Sequence, residues 1–120
     1  MDRRLYRRRA ISLNFRVHDA DSDALLGRIG DISPGGFLLY GEKPLPAGPV
    51  HKLRVDYPDA NGKTRSVVFE ALAQWSGPDA QPDLQITGLR LVNLDKPAIA
   101  KALETLLERF TVGENPEIEE

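Results

Sequence analysis

A chain of 120 residues, 41% hydrophobic and 28% charged, can bury one core but not two, which excludes both a disordered polypeptide and a pair of domains. No apolar run approaches the roughly 20 residues that cross a bilayer, and the first residues lack the apolar stretch of a signal peptide. Cysteine is absent, so disulfides, a thiol nucleophile and a cysteine-bound metal are ruled out, and the expected setting is the cytoplasm, without membrane insertion. The net charge of −2 hides an asymmetry: residues 1–9 carry +4, from Arg3, Arg4, Arg7, Arg8 and Arg9 against Asp2, leaving −6 for the remainder.

Residues 1–10 read as a flexible arginine-rich arm, because they bury little and repel one another. From Ile11 to Val17 apolar and polar residues alternate, with Ile11, Leu13, Phe15 and Val17 on one face, the pattern of a half-buried strand. Asp19–Asp23 reads as a polar turn. A less cleanly patterned strand, Ala24–Ile32, runs into Ser33-Pro-Gly-Gly36, and Phe37–Tyr40 is a short third strand. Pro44, Pro46 and Pro49 then remove backbone donors too often for regular structure. Val50–Tyr57 alternates again, with Leu53, Val55 and Tyr57 opposite Lys52, Arg54 and Asp56.

Asp59-Ala-Asn-Gly62 is a hairpin turn, since Asn-Gly tolerates positive φ. Thr64–Trp75 and Leu84–Val92 are the last strands, with a Pro/Gly/Asp loop at 76–83 between them. Short strands at this spacing predict a mainly β fold, a six-stranded antiparallel barrel. A C-terminal helix at about 95–111 follows, with Asp95 as N-cap and Pro97 in its first turn. Its apolar face of Ile99, Leu103, Leu106, Leu107 and Phe110 is placed to cover one barrel end. Gly113 ends the helix, the barrel domain spans 11–112, and 113–120 reads as a disordered acidic tail.

Two segments carry complementary chemistry. Arg4-Leu-Tyr-Arg-Arg8 sets guanidinium groups four residues apart, able to grip phosphate through paired hydrogen bonds and to stack on a purine. In Asp31-Ile-Ser-Pro-Gly-Gly36, the Asp31 carboxylate can accept from a guanine N1–H and N2–H₂ edge, and Ser33 offers a hydroxyl to a phosphate. Gly35 and Gly36 permit a tight turn and close approach of the backbone. Alone, the arm is a solvated tail and Asp-x-Ser-Pro-Gly-Gly is a turn. Their order and separation carry the information.

On these residues the chain resembles the PilZ family, whose domains bear Arg-x-x-x-Arg on an N-terminal segment and Asp/Asn-x-Ser-x-x-Gly on the barrel. Trp75 and Gly88-Leu-Arg-Leu91 match a later hairpin of the family, so the likeness spans residues 3–110. The resemblance implies a single-domain receptor for the bacterial second messenger cyclic di-GMP. Arg4 and Arg8 would hold phosphates and guanine faces, Asp31 a guanine edge and Ser33 a phosphate, with Gly36 shaping the turn. Support is expected from Arg3, Arg7, Arg9, Gly35, Trp75 and Gly88.

Arg3…Arg7 satisfies the same spacing; Arg4…Arg8 leaves the family's usual short gap before the first strand. In similar proteins an arginine preceding the motif, here Arg3, goes with two stacked ligand molecules. The arm is expected to order on the ligand, and a domain lacking an output module to signal in trans to a protein partner that the sequence does not name. Motility, biofilm and exopolysaccharide production and pilus control are the processes implied.

Three other readings have less behind them. For an enzyme, Ser33 lacks a neighbouring histidine or lysine, and His18 and His51 have no metal-ligand spacing, so neither catalysis nor a cofactor is expected. For a DNA or RNA binder, the acidic remainder of the chain opposes a long polyanion, and Trp75 and Tyr57 are placed by alternation as readily in the core as outside. The third is a PilZ-like protein–protein adaptor without nucleotide binding, as in type IV pilus assembly; such domains typically lack the arginine pair or the Asp-x-Ser turn, and this sequence keeps both.

Overall fold

The computed structural model describes residues 9–11 and 15–114. In chain order its elements are β1 (Arg9–Ile11), β2 (Arg16–Asp19), β3 (Leu25–Ser33), β4 (Gly36–Gly41), β5 (His51–Pro58), β6 (Thr64–Pro78), β7 (Gln85–Leu91), α1 (Pro97–Arg109) and β8 (Thr111–Glu114). Strands β2, β5, β6, β7, β4 and β3 pair in that order, and β3 returns to β2, closing a six-stranded antiparallel barrel. Closure removes free sheet edges from the ring. Outside it, β1 pairs with β3 and β8 with β1.

Alternation fills the barrel. Val17, Leu53, Val55 and Phe69 are fully buried while Arg16, Lys52 and Val68 between them lie outside. The expected continuous strand over 11–17 is instead recorded as two, β1 and β2, whose registers on β3 do not run on from one another. Strand β1 takes in Arg9 and Ala10, and β8 takes in Gly113 and Glu114. In β3 the fully buried side chains are Ile29 and Ile32, three apart instead of two. An extra residue at Gly30–Asp31 explains this: Ile29 pairs with Leu39 but Ile32 with Phe37, a β-bulge that restores the inward phase.

Helix α1 lays Ala102, Leu103, Leu106 and Phe110 into the same core cluster as the barrel strands. The Phe110 ring meets Phe15 edge-on at 5.1 Å and Tyr57 at 6.3 Å, so the helix covers one barrel end as its apolar face predicts. Its N-cap is Lys96, not Asp95, with no side-chain capping bond; Pro97 starts the helix at a position whose N–H would be unpaired in any case. The helix stops at Phe110, before Gly113, because the chain turns into β8. Asn93 completes the seam where β7 ends: its Oδ1 accepts from the Glu70 amide and its Nδ2 donates to the Val68 carbonyl.

Two turns rest on ionised carboxylates. Asp59 Oδ1 accepts from the Asn61 and Lys63 amides at 2.8 and 2.9 Å, while Gly62 takes φ +83°. Asp19 Oδ1 accepts from the Asp21 and Ser22 amides. These amide bonds hold both carboxyls below the ordinary value of 3.8, for Asp59 chiefly through Lys63 and for Asp19 chiefly through Ser22. A depressed folded pKa stabilises the fold above the unfolded value and ceases to do so as pH falls through the folded one. Tm should therefore fall as pH drops below about 4, the unfolded carboxylate value, and Asp59→Asn should lower Tm at pH 7 while flattening that acid dependence.

Candidate functional site

The hairpin β3–β4 turns through Pro34 and Gly35, with Ser33 paired to Gly36. The Ser33 hydroxyl donates to the Gly36 carbonyl at 3.3 Å and accepts from the Gly35 amide at 3.4 Å, so in this state it locks the turn. The Gly35 carbonyl in turn accepts from the Leu91 amide, tying the turn to β7. Neither Gly35 nor Gly36 takes a positive φ, so left-handed backbone is not what this pair supplies. Close approach is: a Cβ on Gly36 would lie 1.9 Å from the carbonyl oxygen of Leu89 on β7.

Beside this turn, on the barrel's outer face, a cavity of about 270 Å³ opens. Asp31, Ser33, Gly35, Gly36, Trp75 and Gly88 all line it, so six residues singled out from the sequence, drawn from four strands and a turn, meet in one place. Arg3, Arg4, Arg7 and Arg8 lie outside the described residues. Arg9 opens β1 opposite Ile32, and Ala10 pairs with Asp31, so the chain joins the barrel at the rim of this cavity.

Trp75 reaches the cavity through a second irregularity. Along β6, Val67, Phe69, Ala71 and Ala73 point inward, and strict alternation would send Trp75 after them. Gln74 is the extra residue of a bulge: Ala73 pairs with Leu89 but Trp75 with Gly88, which lies between the inward Thr87 and Leu89 and so belongs to the outer face. The indole lies over Gly88, where a Cβ would come within 2.3 Å of Nε1, and stays 48% exposed.

The other lining residues, Ile32, Phe37, Leu38, Gln74, Leu89 and Arg90, were not anticipated as part of the site. Arg90 was legible, standing two positions beyond Gly88 on the same face of a strand. The bulge at Gln74 left no mark in the hydrophobic pattern. Arg90 is exposed, and no carboxylate pairs with it among the described residues. The cavity thus presents a carboxylate, a guanidinium and an indole face, suited to a ligand with a donor edge, a negative charge and a flat ring. No group of three metal-ligating side chains occurs among the described residues, and no helix among them is long and apolar enough to cross a membrane.

The family model described as the PilZ domain matches residues 2–111. The chain belongs to the PilZ family. Among PilZ and related structures, the PilZ domain with c-di-GMP of YcgR from Escherichia coli aligns with TM-score 0.60 and 20% identity over 89% of this chain and 90% of that one. The Bacillus subtilis inhibitor of motility (MotI/DgrA) aligns with TM-score 0.66 and 19% identity over 91% of this chain. YcgR in complex with c-di-GMP from Escherichia coli aligns with TM-score 0.63 and 20% identity over 90%. The PilZ chain spans only 52% and 46% of those last two proteins. At such identities the likeness shows the shared PilZ fold. No curated protein matches the sequence.

Proposed function

We propose that this chain is a receptor for cyclic di-GMP, bound between its arginine arm and the Asp31–Gly36 turn. The observation that carries the reading is the convergence of Asp31, Ser33, Gly36, Trp75 and Gly88 on one cavity at the point where β1 enters the barrel. Membership of the PilZ family and the c-di-GMP in two of the similar structures support the same ligand. At about 270 Å³ the cavity is smaller than the roughly 300–1,000 Å³ of small-molecule pockets, so the barrel supplies one wall and the arm the other. Arg4 and Arg8 grip the phosphates and stack on guanine, and Asp31 accepts from the guanine edge. Arg90 adds a fixed charge at the cavity wall.

Closing the arm over the ligand neutralises its self-repulsion and changes the surface shown to a partner protein in trans, which is the signal. Trp75 is the single tryptophan and lines the cavity, so intrinsic fluorescence reports on occupancy. Titration with cyclic di-GMP should give a saturable change in emission together with calorimetric heat, and cyclic di-AMP should give neither. A folded protein that returns no heat at tens of micromolar is an adaptor without nucleotide, and the receptor reading falls.

A further inference from the structure

A second groove lies toward the opposite end of the β3–β4 hairpin. We propose that it docks an acidic peptide segment of a partner protein, one in which an aliphatic side chain is flanked by carboxylates. The groove measures about 620 Å³ and is lined by Arg16, Arg28 and Lys43 together with Leu25, Leu45 and Leu84. Arg16 and Arg28 stand directly opposite each other on β2 and β3, both exposed. Like charges at paired positions repel, and no carboxylate pairs with either of them, or with Lys43, among the described residues. An anion seated between them removes that repulsion, and a carboxylate matches the guanidinium fork.

The rest of the groove selects the kind of anion. Leu25 is 59% exposed, and Leu45 and Leu84 continue the apolar wall, so the ligand brings a hydrocarbon side chain as well as charge. The Tyr40 ring is not available as a stacking platform for a base: it lies against Gly30 and carries Arg28, whose guanidinium carbon is 5.1 Å from the ring centre. Three cations beside Glu42 are too few for a nucleic acid or a membrane surface. The wall is already in place, because the Leu45 amide donates to Thr87 Oγ1 and His51 Nε2 lies 2.8 Å from the Pro46 carbonyl oxygen. A preformed wall lowers the ordering cost of binding. None of these residues lines the nucleotide cavity.

The test is an array of acidic heptapeptides, each with one leucine, isoleucine or valine, screened against the full chain by fluorescence polarisation. The tightest peptide is then titrated into ¹⁵N-labelled protein. Amide shifts should concentrate at residues 16, 25–28, 42, 43, 45 and 84. Arg16→Glu and Arg28→Glu should each weaken binding about tenfold, while Arg16→Lys stays within about threefold. Leu25→Ser should weaken it as well, separating the apolar contribution from the charge. All four changes fall on exposed side chains, and circular dichroism checks that each variant folds. The proposal is overturned if no acidic–aliphatic peptide binds, if shifts map elsewhere, or if binding survives both charge reversals. It is equally overturned if phosphatidylglycerol vesicles or a single-stranded oligonucleotide engage this groove and the peptides do not.

Discussion

Asp31→Ala should raise the Kd for cyclic di-GMP by roughly 10- to 150-fold, the worth of about 1.5–3 kcal/mol for hydrogen bonds to a charged acceptor. Asp31 lies in the bulge of β3, beside the strand that brings in the arm, and it lines the cavity. Its removal takes away the carboxylate proposed to read guanine without opening the core, since Asp31 is only half-buried. Asp31→Asn keeps one acceptor and should fall between alanine and the parent. On the arm, Arg4→Ala and Arg8→Ala are expected to cost as much each, and Arg3→Ala and Arg7→Ala less. The reverse order would assign the motif to the other register. All these affinities should weaken with added salt, since guanidinium–phosphate pairing is screened. Calorimetry at two salt concentrations reads both effects.

Gly36→Ala is the substitution expected to damage stability most. Its Cβ would meet the Leu89 carbonyl oxygen at 1.9 Å, a backbone atom inside a paired strand that cannot swing aside as a side-chain end could. The β4–β7 seam would have to part locally, at about 3 kcal/mol, lowering Tm by roughly 10–20 °C for a domain of this size. Gly77→Ala is the control, with nothing within 4 Å and no change expected beyond about 0.5 kcal/mol. Gly88→Ala separates fold from site. The three atoms nearest its Cβ all belong to the Trp75 ring, so the indole should be pushed off while the barrel stands, and the fluorescence response to ligand should shrink. Thermal melts followed by circular dichroism order the three.

The barrel, its terminal helix and the Asp59–Gly62 hairpin were legible because each rests on local chemistry: period-two burial, period-3.6 burial, and a turn whose glycine takes positive φ. What escaped was whatever depends on counting residues between strands. The bulge in β3 blurred its alternation, and the bulge at Gln74 turned Trp75 outward against the phase of its strand. The Lys96 cap in place of Asp95 is a displacement of one position, the usual uncertainty of a helix end. Gly36 was recognised as a place of close backbone approach, but the neighbour it approaches, the Leu89 carbonyl on β7, is invisible in a turn motif. Arg90 was passed over although its spacing from Gly88 placed it on the site's face.

The extra residue in β6 has a genetic consequence. Trp75 faces the cavity because the strand carries Gln74 as an unpaired residue. Losing the single codon for Gln74 would leave every other side chain of the site unchanged. It would also remove the bulge: Trp75 would follow the inward Ala73 directly and, by alternation, still face out opposite Gly88. In this barrel a one-codon deletion at Gln74 can therefore be absorbed without moving the indole off the outer face, because the strand already holds that residue out of its ladder.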